Sequence, residues 1–452
     1  MNENSLEQCL QKMRAAGISQ AAIDNFAHYW HLCASGATGL IREDSIRPLL
    51  DPPQLDQVDV SDEAARAALQ QTVMIKLNGG LGTSMGLDRA KSLLTVRDGK
   101  NFLDLIVDQV RYAREHYDAR LPLVFMDSFR TTDDTLAHLA GHPGLAVDGL
   151  PLDFLQNAEP KILASDLSPV SWPADPTLEW CPPGHGDLYP ALLGTGLLDA
   201  LLDAGFRYAS VANGDNLGAA PDARLAGWFA ASGAPYAAEV CPRTINDRKG
   251  GHLAVRIADD QLILRDTAQT APEEMDFFTD EHRHPYFHAN NLWLDLAQLR
   301  SILTERRGVL GLPLIRNEKT VDPADASSPK VIQLESAMGA AIEVFPGATA
   351  IAVGRDRFLP VKTTNELLLL RSDVFDLGVD GRLQAQVARI PEIDLDPKYY
   401  RLVEDFDRLV TVVPSLREAQ ALVVRGEWHF DSRVAVTGEL ELADAGEPRQ
   451  YP

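Results

Sequence analysis

The feature that most constrains the fold is a short apolar strand that runs directly into a glycine-rich loop. The strand reads TVMIKL from Thr72, and the loop, called the glycine loop below, extends from Asn78 to Gly86. Its four glycines permit positive φ and let the backbone approach a ligand closely. Successive free N–H groups in such a turn form a concave anion site. The strand and the glycine loop together therefore predict a phosphate-binding turn at the carboxyl end of a strand.

Two common phosphate loops do not match the glycine loop. A Walker A loop needs Gly-Lys-Ser/Thr, but Ala90 precedes Lys91 and Ser92. The dinucleotide fingerprint G-x-G-x-x-G would begin at Gly80, and Met85 stands at its last glycine position. The sequence thus argues against a P-loop enzyme and against a nicotinamide enzyme.

Strands and helices alternate around this loop. A helix is predicted from Phe102, a strand at 121–127, and a helix at 196–205 that leads into a strand ending in Ala-Asn-Gly-Asp-Asn, residues 212–216. The alternation predicts an α/β, Rossmann-like fold whose central sheet is mixed and mostly parallel. Ligands of such sheets bind beyond the carboxyl ends of the strands, where the glycine loop and residues 213–216 both fall.

Composition and charge exclude several classes of partner. Hydrophobic residues make up 45% of the 452 residues, which suffices for a large core. A net charge of -23 repels nucleic acid and anionic membrane surfaces, so neither is expected as a partner. The sequence contains no apolar run of about 18 residues, and its first residues lack the pattern of a signal peptide. Four scattered cysteines without C-x-x-C spacing favour reduced thiols and a cytoplasmic enzyme.

Three further loops carry residues that are typical of phosphate chemistry. His185 stands between two glycines in Gly-His-Gly-Asp. Asp215 lies beside two asparagines, a pattern that is common in turns but also suits Mg²⁺, which prefers carboxylates and phosphate oxygens. Thr363 and Glu366 form a capping box, and a helix N-terminus next to Lys362 is itself an anion site.

Nine segments in order, over about 300 residues, resemble the eukaryotic-type UTP–glucose-1-phosphate uridylyltransferases within the UDP-sugar pyrophosphorylase superfamily. The segments are LNGGLGTSMG (77–86), PLVFMDSFRTTDDT (122–135), FLQN (154–157), PPGHGDLYPALLGTGLLD (182–199), VANGDNLGA (211–219), PRTINDRKGG (242–251), YFHANNLW (286–293), VIQLESAMGAAI (331–342) and RFLPVKTTNELLLL (357–370). So many matches in order identify the chain as a member of this family.

The resemblance implies a role for each candidate site residue. Lys91 and Lys362 would be catalytic, and Asp215 would hold Mg²⁺. The nucleotide would be bound by Leu77, Asn78, Gly79, Gly80, Gly82, Thr83, Gln156, which faces uracil, and Gly184. The sugar phosphate would be bound by His185, Asn213, Gly251, Asp266, Asn290 and Asn291.

The sequence departs from the family pattern at three places. Residues 87–90 read Leu-Asp-Arg-Ala where the family has Cys-Lys-Gly-Pro, which displaces the basic residue to Arg89. Asp266 replaces the usual Glu and is one methylene shorter. His288 and Ala289 stand where the family has Asn-Thr, so one asparagine is missing.

The implied reaction is Mg²⁺-dependent, in-line attack of glucose 1-phosphate on the α-phosphate of UTP, giving UDP-glucose and pyrophosphate. The same chemistry on galactose 1-phosphate, an N-acetylhexosamine 1-phosphate or several sugars stays open, although Thr83-Ser84 in place of Thr-Arg argues against N-acetylhexosamines. A catalytically inactive nucleotide-sugar sensor on the same fold is a further alternative.

The resemblance also implies three parts. Residues 1–70 would form an N-terminal helical region, 71–375 the nucleotidyltransferase domain with sugar-binding insertions, and 376–452 a linker helix with a short C-terminal β-helix-like domain. Family members that associate often do so through the last part, so a homo-oligomer is an open expectation.

Overall fold

The computed structural model describes residues 3–147, 149–244, 247 and 250–451. The α-helices are α1 (Glu3–Ala15), α2 (Gln20–Ala34), α3 (Asp62–Gln70), α4 (Phe102–Tyr117), α5 (Thr132–Leu139), α6 (Leu188–Gly194), α7 (Leu197–Asp203), α8 (Ala223–Ser232), α9 (Met275–Phe278), α10 (Leu296–Glu305), α11 (Thr364–Arg371), α12 (Pro397–Tyr400) and α13 (Val403–Leu409). Short 3₁₀ turns connect several of these helices and strands.

The strands of the first half of the chain are β1 (Ile46–Pro48), β2 (Thr72–Leu77), β3 (Thr95–Arg97), β4 (Lys100–Asn101), β5 (Leu123–Asp127), β6 (Asp153–Leu155), β7 (Glu159–Pro160), β8 (Ile162–Leu163), β9 (Trp180–Cys181) and β10 (Tyr208–Asn213). Those of the second half are β11 (Tyr236–Pro242), β12 (His252–Arg256), β13 (Leu262–Arg265), β14 (Tyr286–Asp295), β15 (Ile315–Thr320), β16 (Lys330–Glu335), β17 (Thr349–Ala352), β18 (Phe375–Leu377), β19 (Leu383–Ala385), β20 (Glu392–Leu395), β21 (Ser415–Val424), β22 (Trp428–His429), β23 (Ala435–Leu442) and β24 (Arg449–Gln450).

A central mixed sheet organises the molecule. Strands β10, β2, β5 and β6 lie side by side and parallel. The long strand β14 pairs antiparallel with β10, β11 and β12, while β12 also pairs antiparallel with β1 and β13. Strand β17 runs parallel to β11 at the other margin. The predicted α/β class and mixed sheet are therefore confirmed.

The prediction of a mostly parallel sheet is wrong for half of it. Parallel pairing dominates around the glycine loop, where strands alternate with helices as the sequence pattern indicated. The half around β14 is antiparallel because β12 and β13 form a hairpin and β14 returns alongside it. A crossover helix is required only between parallel strands. The alternation of strands and helices along the sequence therefore could not predict the antiparallel half of the sheet.

Helices cover both faces of the sheet because its strands are apolar on both sides. Along β2, Val73 and Ile75 join the core beneath α1, α2, α6, α7 and α10, whereas Met74 joins the core beneath α3, α4 and α8. This alternation follows from the two-residue period of a strand. A strand buried on both faces reads as a continuous apolar run, as TVMIKL does.

Two predicted helix starts carry capping boxes. Helix α4 begins at Phe102, as predicted, because Asn101 and Asp104 form a reciprocal capping box. The capping box of Thr363 and Glu366 likewise opens α11. In the described residues, no helix combines the length and the apolar composition needed to cross a bilayer.

The C-terminal strands stack in register rather than forming hairpins. Strands β20, β21 and β23 are parallel neighbours, which places Ile393, Leu422 and Leu440 side by side. Strands β22 and β24 also pair in parallel. Leu422 belongs to the same hydrophobic core as α4 and α8, so this part is packed onto the body of the molecule.

A buried ion pair ties the sheet to residues 355–362. Glu239 on β11 is fully buried and accepts bonds from Arg357 Nε at 3.0 Å and Arg357 Nη2 at 2.8 Å. Burial alone would raise the pKa of Glu239, but the guanidinium outweighs it and holds the pKa below its ordinary value. Asn291 and Trp293 on β14 donate to the same carboxylate. One acid therefore joins two strands and a connecting segment.

We expect Arg357→Met to lower the free energy of unfolding by about 3–5 kcal/mol, because Glu239 would stay buried without its counter-charge. Urea unfolding followed by tryptophan fluorescence measures the change.

The matched control is Arg300→Met, which removes a pair with Asp199 whose side chains are 49% and 58% exposed. It should cost less than about 1 kcal/mol. Equal losses from the two variants would contradict the assignment of Arg357 to a buried, structure-determining pair.

Candidate active site

A cavity of about 420 Å³ opens at the carboxyl ends of β2 and β10. Eleven of the predicted site residues line it: Leu77, Asn78, Gly79, Gly80, Gly82, Lys91, Gln156, Gly184, His185, Asn213 and Asp215. Ser92, Met126 and Pro182 complete the wall. The structure thus gathers residues from several separate segments at the sheet edge where ligands of such sheets bind.

The glycine loop is anchored from below through Asn78. Its side-chain amide donates to Asp127 Oδ1 at 2.7 Å and to Thr135 Oγ1 at 2.9 Å. Burial raises the pKa of Asp127 to about 6, although these donors and Thr131 oppose that shift. The first turn of α5 therefore supports the start of the loop.

Two glycines of the loop have definite steric roles. Gly82 adopts a left-handed conformation with φ of 69°, which most side chains avoid. A Cβ on Gly79 would lie 2.7 Å from Gln156 Oε1. The loop backbone can therefore lie against Gln156, the residue that the family pattern assigns to the base.

Lys91 and Asp215 form an ion pair in the cavity wall. Lys91 Nζ lies 2.5 Å from Asp215 Oδ2 and also donates to the carbonyl of Val361. The side chains are 17% and 23% exposed, so both remain open to a ligand. The ammonium therefore lies where the glycine loop, the end of β10 and residues 355–362 meet.

Gly184 brings two chain segments into close contact. Its φ is +78°, and a Cβ there would lie 2.7 Å from the carbonyl oxygen of Ser336. Its own carbonyl accepts a bond from Gln156 Nε2 at 2.9 Å. A side chain is excluded here by both conformation and space, and the Gly184 backbone in turn orients Gln156.

His185 presents a neutral imidazole to the cavity. Its Nδ1 accepts a bond from the backbone N–H of Met338 at 3.0 Å, and burial lowers the pKa of the ring to about 4. The single proton of the neutral ring is therefore on Nε2. His185 is a hydrogen-bond donor without charge.

The other sugar-binding candidates lie outside the cavity lining. Asn290, with φ of 57°, donates to Asn213 Oδ1 at 3.3 Å and is thus next to the cavity. Gly251 and Asp266 are neighbours, since a Cβ on Gly251 would lie 3.0 Å from Asp266 Oδ2. Asn291 is buried and bonded to Glu239, so the structure places it in the Glu239 network.

Lys362 and Thr83 are exposed. Lys362 lines a neighbouring cavity of about 500 Å³ with Asn365 and Glu366, one residue away from the Val361 carbonyl that binds Lys91. Arg89 lines a third cavity. Arg248 and Lys249, which form part of one family segment, lie outside the described residues.

The structure also shows contributors that were not among the predicted site residues. Ser336 packs against Gly184, while Glu239 and Arg357 position residues 355–362. Ser336 falls within a segment that carried the family resemblance, which was a usable signal. Glu239 lies outside those segments, and its apolar surroundings gave no sign of a partner 118 residues away.

The residues around Asp215 fit a magnesium ion. Asp215 offers a carboxylate on the cavity wall, and Asn213 offers an amide oxygen beside it. Mg²⁺ is usually held by one or two carboxylates together with substrate phosphates and water. His185 would not compete as a ligand through Nδ1, because that nitrogen already accepts a backbone N–H.

Sequence comparison finds relatives over most of the chain. A family model described as UTP–glucose-1-phosphate uridylyltransferase matches residues 23–437. The UTP–glucose-1-phosphate uridylyltransferase of Hordeum vulgare is 38% identical over 386 residues, which cover 84% of this chain and 79% of the relative. The protein of that name from Encephalitozoon cuniculi is 35% identical over 86% of this chain and 77% of its own length.

Solved structures show the same similarity. A UDP-glucose pyrophosphorylase from Leishmania major, known in open and closed forms, superposes with a TM-score of 0.93 at 40% identity over 99% of this chain and 97% of its own. A variant of that enzyme in complex with UDP-glucose gives 0.92 at 41% identity, with coverage of 99% and 97%. The resemblance inferred from the motifs is thereby confirmed, and the chain belongs to the UTP–glucose-1-phosphate uridylyltransferase family.

Proposed function

We propose that this protein transfers UMP from UTP to glucose 1-phosphate, forming UDP-glucose and releasing pyrophosphate. The observation that carries the proposal is the convergence of the glycine loop, Gln156, His185, Lys91 and Asp215 on one cavity. Relatives over most of the chain are named for this activity, and a Leishmania major relative has been crystallised with UDP-glucose.

The difficulty of this reaction is electrostatic. The sugar phosphate is already an anion and needs no general base, but it must approach a triphosphate. Free N–H groups of the glycine loop would hold phosphate oxygens. The Lys91 ammonium would offset the charge that develops at the α-phosphate. His185 Nε2–H would add a donor that stays uncharged over the ordinary pH range.

Lys362 would bind phosphate beside the site. Its exposed side chain precedes the N-terminus of α11, where the helix dipole favours anions. Val361 links it to Lys91 through the backbone. We assign pyrophosphate or its precursor phosphates to this lysine.

We propose Mg²⁺ as the metal, held by Asp215 with Asn213 nearby. When bound, Mg²⁺ supplies a Lewis acid for phosphate oxygens. Asp215 would then have two tasks, since it also orients Lys91.

For the sugar, we propose glucose. Asn290, Gly251 and Asp266 would surround its hydroxyl groups, and Asp266 keeps the carboxylate acceptor of the family at shorter reach. Galactose 1-phosphate is the alternative that this shorter side chain leaves open.

We also propose that the chain is divided into three parts. Residues 1–70, 71–375 and 376–452 would be the helical, catalytic and C-terminal parts. The parallel stacking of β20, β21 and β23 supports a short β-helix in the last part. We propose a cytoplasmic location, and a homo-oligomer if the C-terminal part associates.

The decisive experiment incubates tag-free protein with UTP, Mg²⁺ and glucose 1-phosphate and measures pyrophosphate and UDP-glucose. Galactose 1-phosphate and N-acetylglucosamine 1-phosphate are run in parallel. Release with glucose 1-phosphate supports the proposal. Release with another sugar alone would reject glucose and retain the chemistry, and binding without turnover would favour a sensor.

We expect Lys91→Ala to lower kcat by about 10²–10³-fold, the usual loss when one charge-stabilising group is removed. Steady-state pyrophosphate release measures kcat. Lys100→Ala is the control, because Lys100 pairs with Asp108 away from the cavity, and it should leave kcat unchanged. Near-normal turnover in Lys91→Ala would contradict the charge-stabilising role of Lys91.

Asp215→Asn should raise the Mg²⁺ concentration for half-maximal rate by more than about tenfold, because the metal loses its carboxylate ligand. A Mg²⁺ titration of the rate tests this, with Lys100→Ala, which lies away from the cavity, as the variant that should keep a normal midpoint. An unshifted midpoint in Asp215→Asn would count against the metal assignment.

His185→Leu should lower kcat/KM by about 10- to 100-fold, since a hydrogen bond to a charged group is worth about 1.5–3 kcal/mol. His185→Gln should recover part of the loss through its amide N–H. Because the pKa of His185 is lowered to about 4, protonation of this ring should not limit the rate between pH 6 and 9. An acidic limb near pH 6.5 that disappears in His185→Gln would contradict this.

A further inference from the structure

Three metal-ligating side chains meet outside the cavity. Asp104 lies in the first turn of α4, His138 in the last turn of α5, and His142 just beyond that helix. Asp104 Oδ1 lies 2.8 Å from His138 Nε2 and 3.0 Å from His142 Nε2. The three donor atoms all lie within 4.8 Å of one another. No role in the proposed reaction falls to them.

The carboxylate is fixed by its own helix. Asp104 Oδ2 accepts a bond from the backbone N–H of Asn101 at 3.0 Å, and Asn101 Oδ1 accepts one from the backbone N–H of Asp104 at 2.9 Å. This capping box uses one carboxylate oxygen and leaves Oδ1 directed at the imidazoles. Ligands held in this way by outer hydrogen bonds lose little freedom on binding a metal.

The two histidines are spaced for chelation. His142 lies beyond α5, and the turn at residues 140–142 brings its ligand nitrogen within 4.8 Å of that of His138. Zinc–nitrogen bonds of about 2.0–2.1 Å in a tetrahedral site place neighbouring donor atoms roughly 3.3 Å apart. The observed separations of 2.8 and 3.0 Å are close to that requirement. Hydrogen bonds from both rings to Oδ1 also fit these separations, and Asn101 Nδ2 lies 3.3 Å from His138 Nε2, so the titration below is needed to distinguish a metal site from a hydrogen-bonded cluster.

From this geometry we propose that Asp104, His138 and His142 bind a divalent transition-metal ion, with Zn²⁺ as the best match. Two imidazoles and one carboxylate are typical of zinc and its neighbours, whereas Mg²⁺ prefers oxygen ligands alone. The side chains are 20%, 28% and 17% exposed, which leaves a route for the ion and a fourth position for water.

The ion would join α4 to α5. The first turn of α5 carries Thr135, which supports Asn78 at the start of the glycine loop. The metal would therefore stabilise the helix pair behind the nucleotide site. Its existence is separate from the uridylyltransferase activity, which is proposed to use Mg²⁺ at Asp215.

The test is a Co²⁺ titration of tag-free, chelator-treated protein, followed by visible absorption and by thermal unfolding. We expect one equivalent of Co²⁺ to give a saturable tetrahedral band that Zn²⁺ removes and Mg²⁺ does not. The melting temperature should rise with Zn²⁺ concentration, because the ion binds the folded state. The four cysteines are buried, so thiols do not offer a competing surface site.

His138→Gln and His142→Gln should each weaken Co²⁺ binding by more than about tenfold. His116→Gln, which removes an exposed histidine from α4, is the matched control and should bind normally. Asp215→Asn should also retain the band, which separates this site from the catalytic one. Circular dichroism of the metal-free variants verifies that each is folded.

A missing band in the unaltered protein would overturn the proposal. So would a band that persists at full affinity in both His138→Gln and His142→Gln, or one that Asp215→Asn abolishes.

Discussion

The arrangement of the site depends on the buried ion pair between Glu239 and Arg357. A carboxylate in a sheet core is tolerated only when its oxygens are fully used, and here two side chains of β14 and a guanidinium use them. The pair fixes residues 355–362, whose Leu359 N–H and Val361 carbonyl then contact Asn216 and Lys91. The position of the Lys91 ammonium relative to Asp215 is thus set by a charge pair whose members do not line the cavity.

The site concentrates donors for anions in a strongly acidic protein. The net charge of -23 repels phosphates at long range, so attraction has to be local. The glycine loop supplies backbone N–H groups and Lys91 supplies one ammonium. His185 adds an uncharged donor, because burial disfavours its cationic form. Neutral donors of this kind bind phosphate without adding another buried charge that would need a counter-ion.

The sequence predicted those features that short segments determine. The glycine loop, the start of α4, the capping box of α11 and the parallel half of the sheet depend on neighbours along the chain. The Glu239–Arg357 pair spans 118 residues, and nothing in either local pattern indicates the other. The same limit explains Asn291, which the family pattern places near the sugar and the structure bonds to Glu239. The sequence motifs predicted which side chains act as hydrogen-bond donors. Tertiary packing determines whether each donor lies in the cavity or in the Glu239 network.

The two charged partners in the cavity are held to different degrees. The loop that follows Asp215 is fixed from its far side, since Lys76 Nζ donates to the carbonyl of Ala219 at 2.7 Å and Arg357 donates to that of Ala220 at 2.7 Å. Burial, reinforced by Arg357, lowers the pKa of Lys76 to about 7. Lys76 therefore supports the loop while adding less positive charge than a fully protonated lysine would. Lys91, in contrast, reaches Asp215 through a flexible four-carbon chain. When phosphate enters, the carboxylate should therefore keep its place while the ammonium moves from it to the phosphate oxygens.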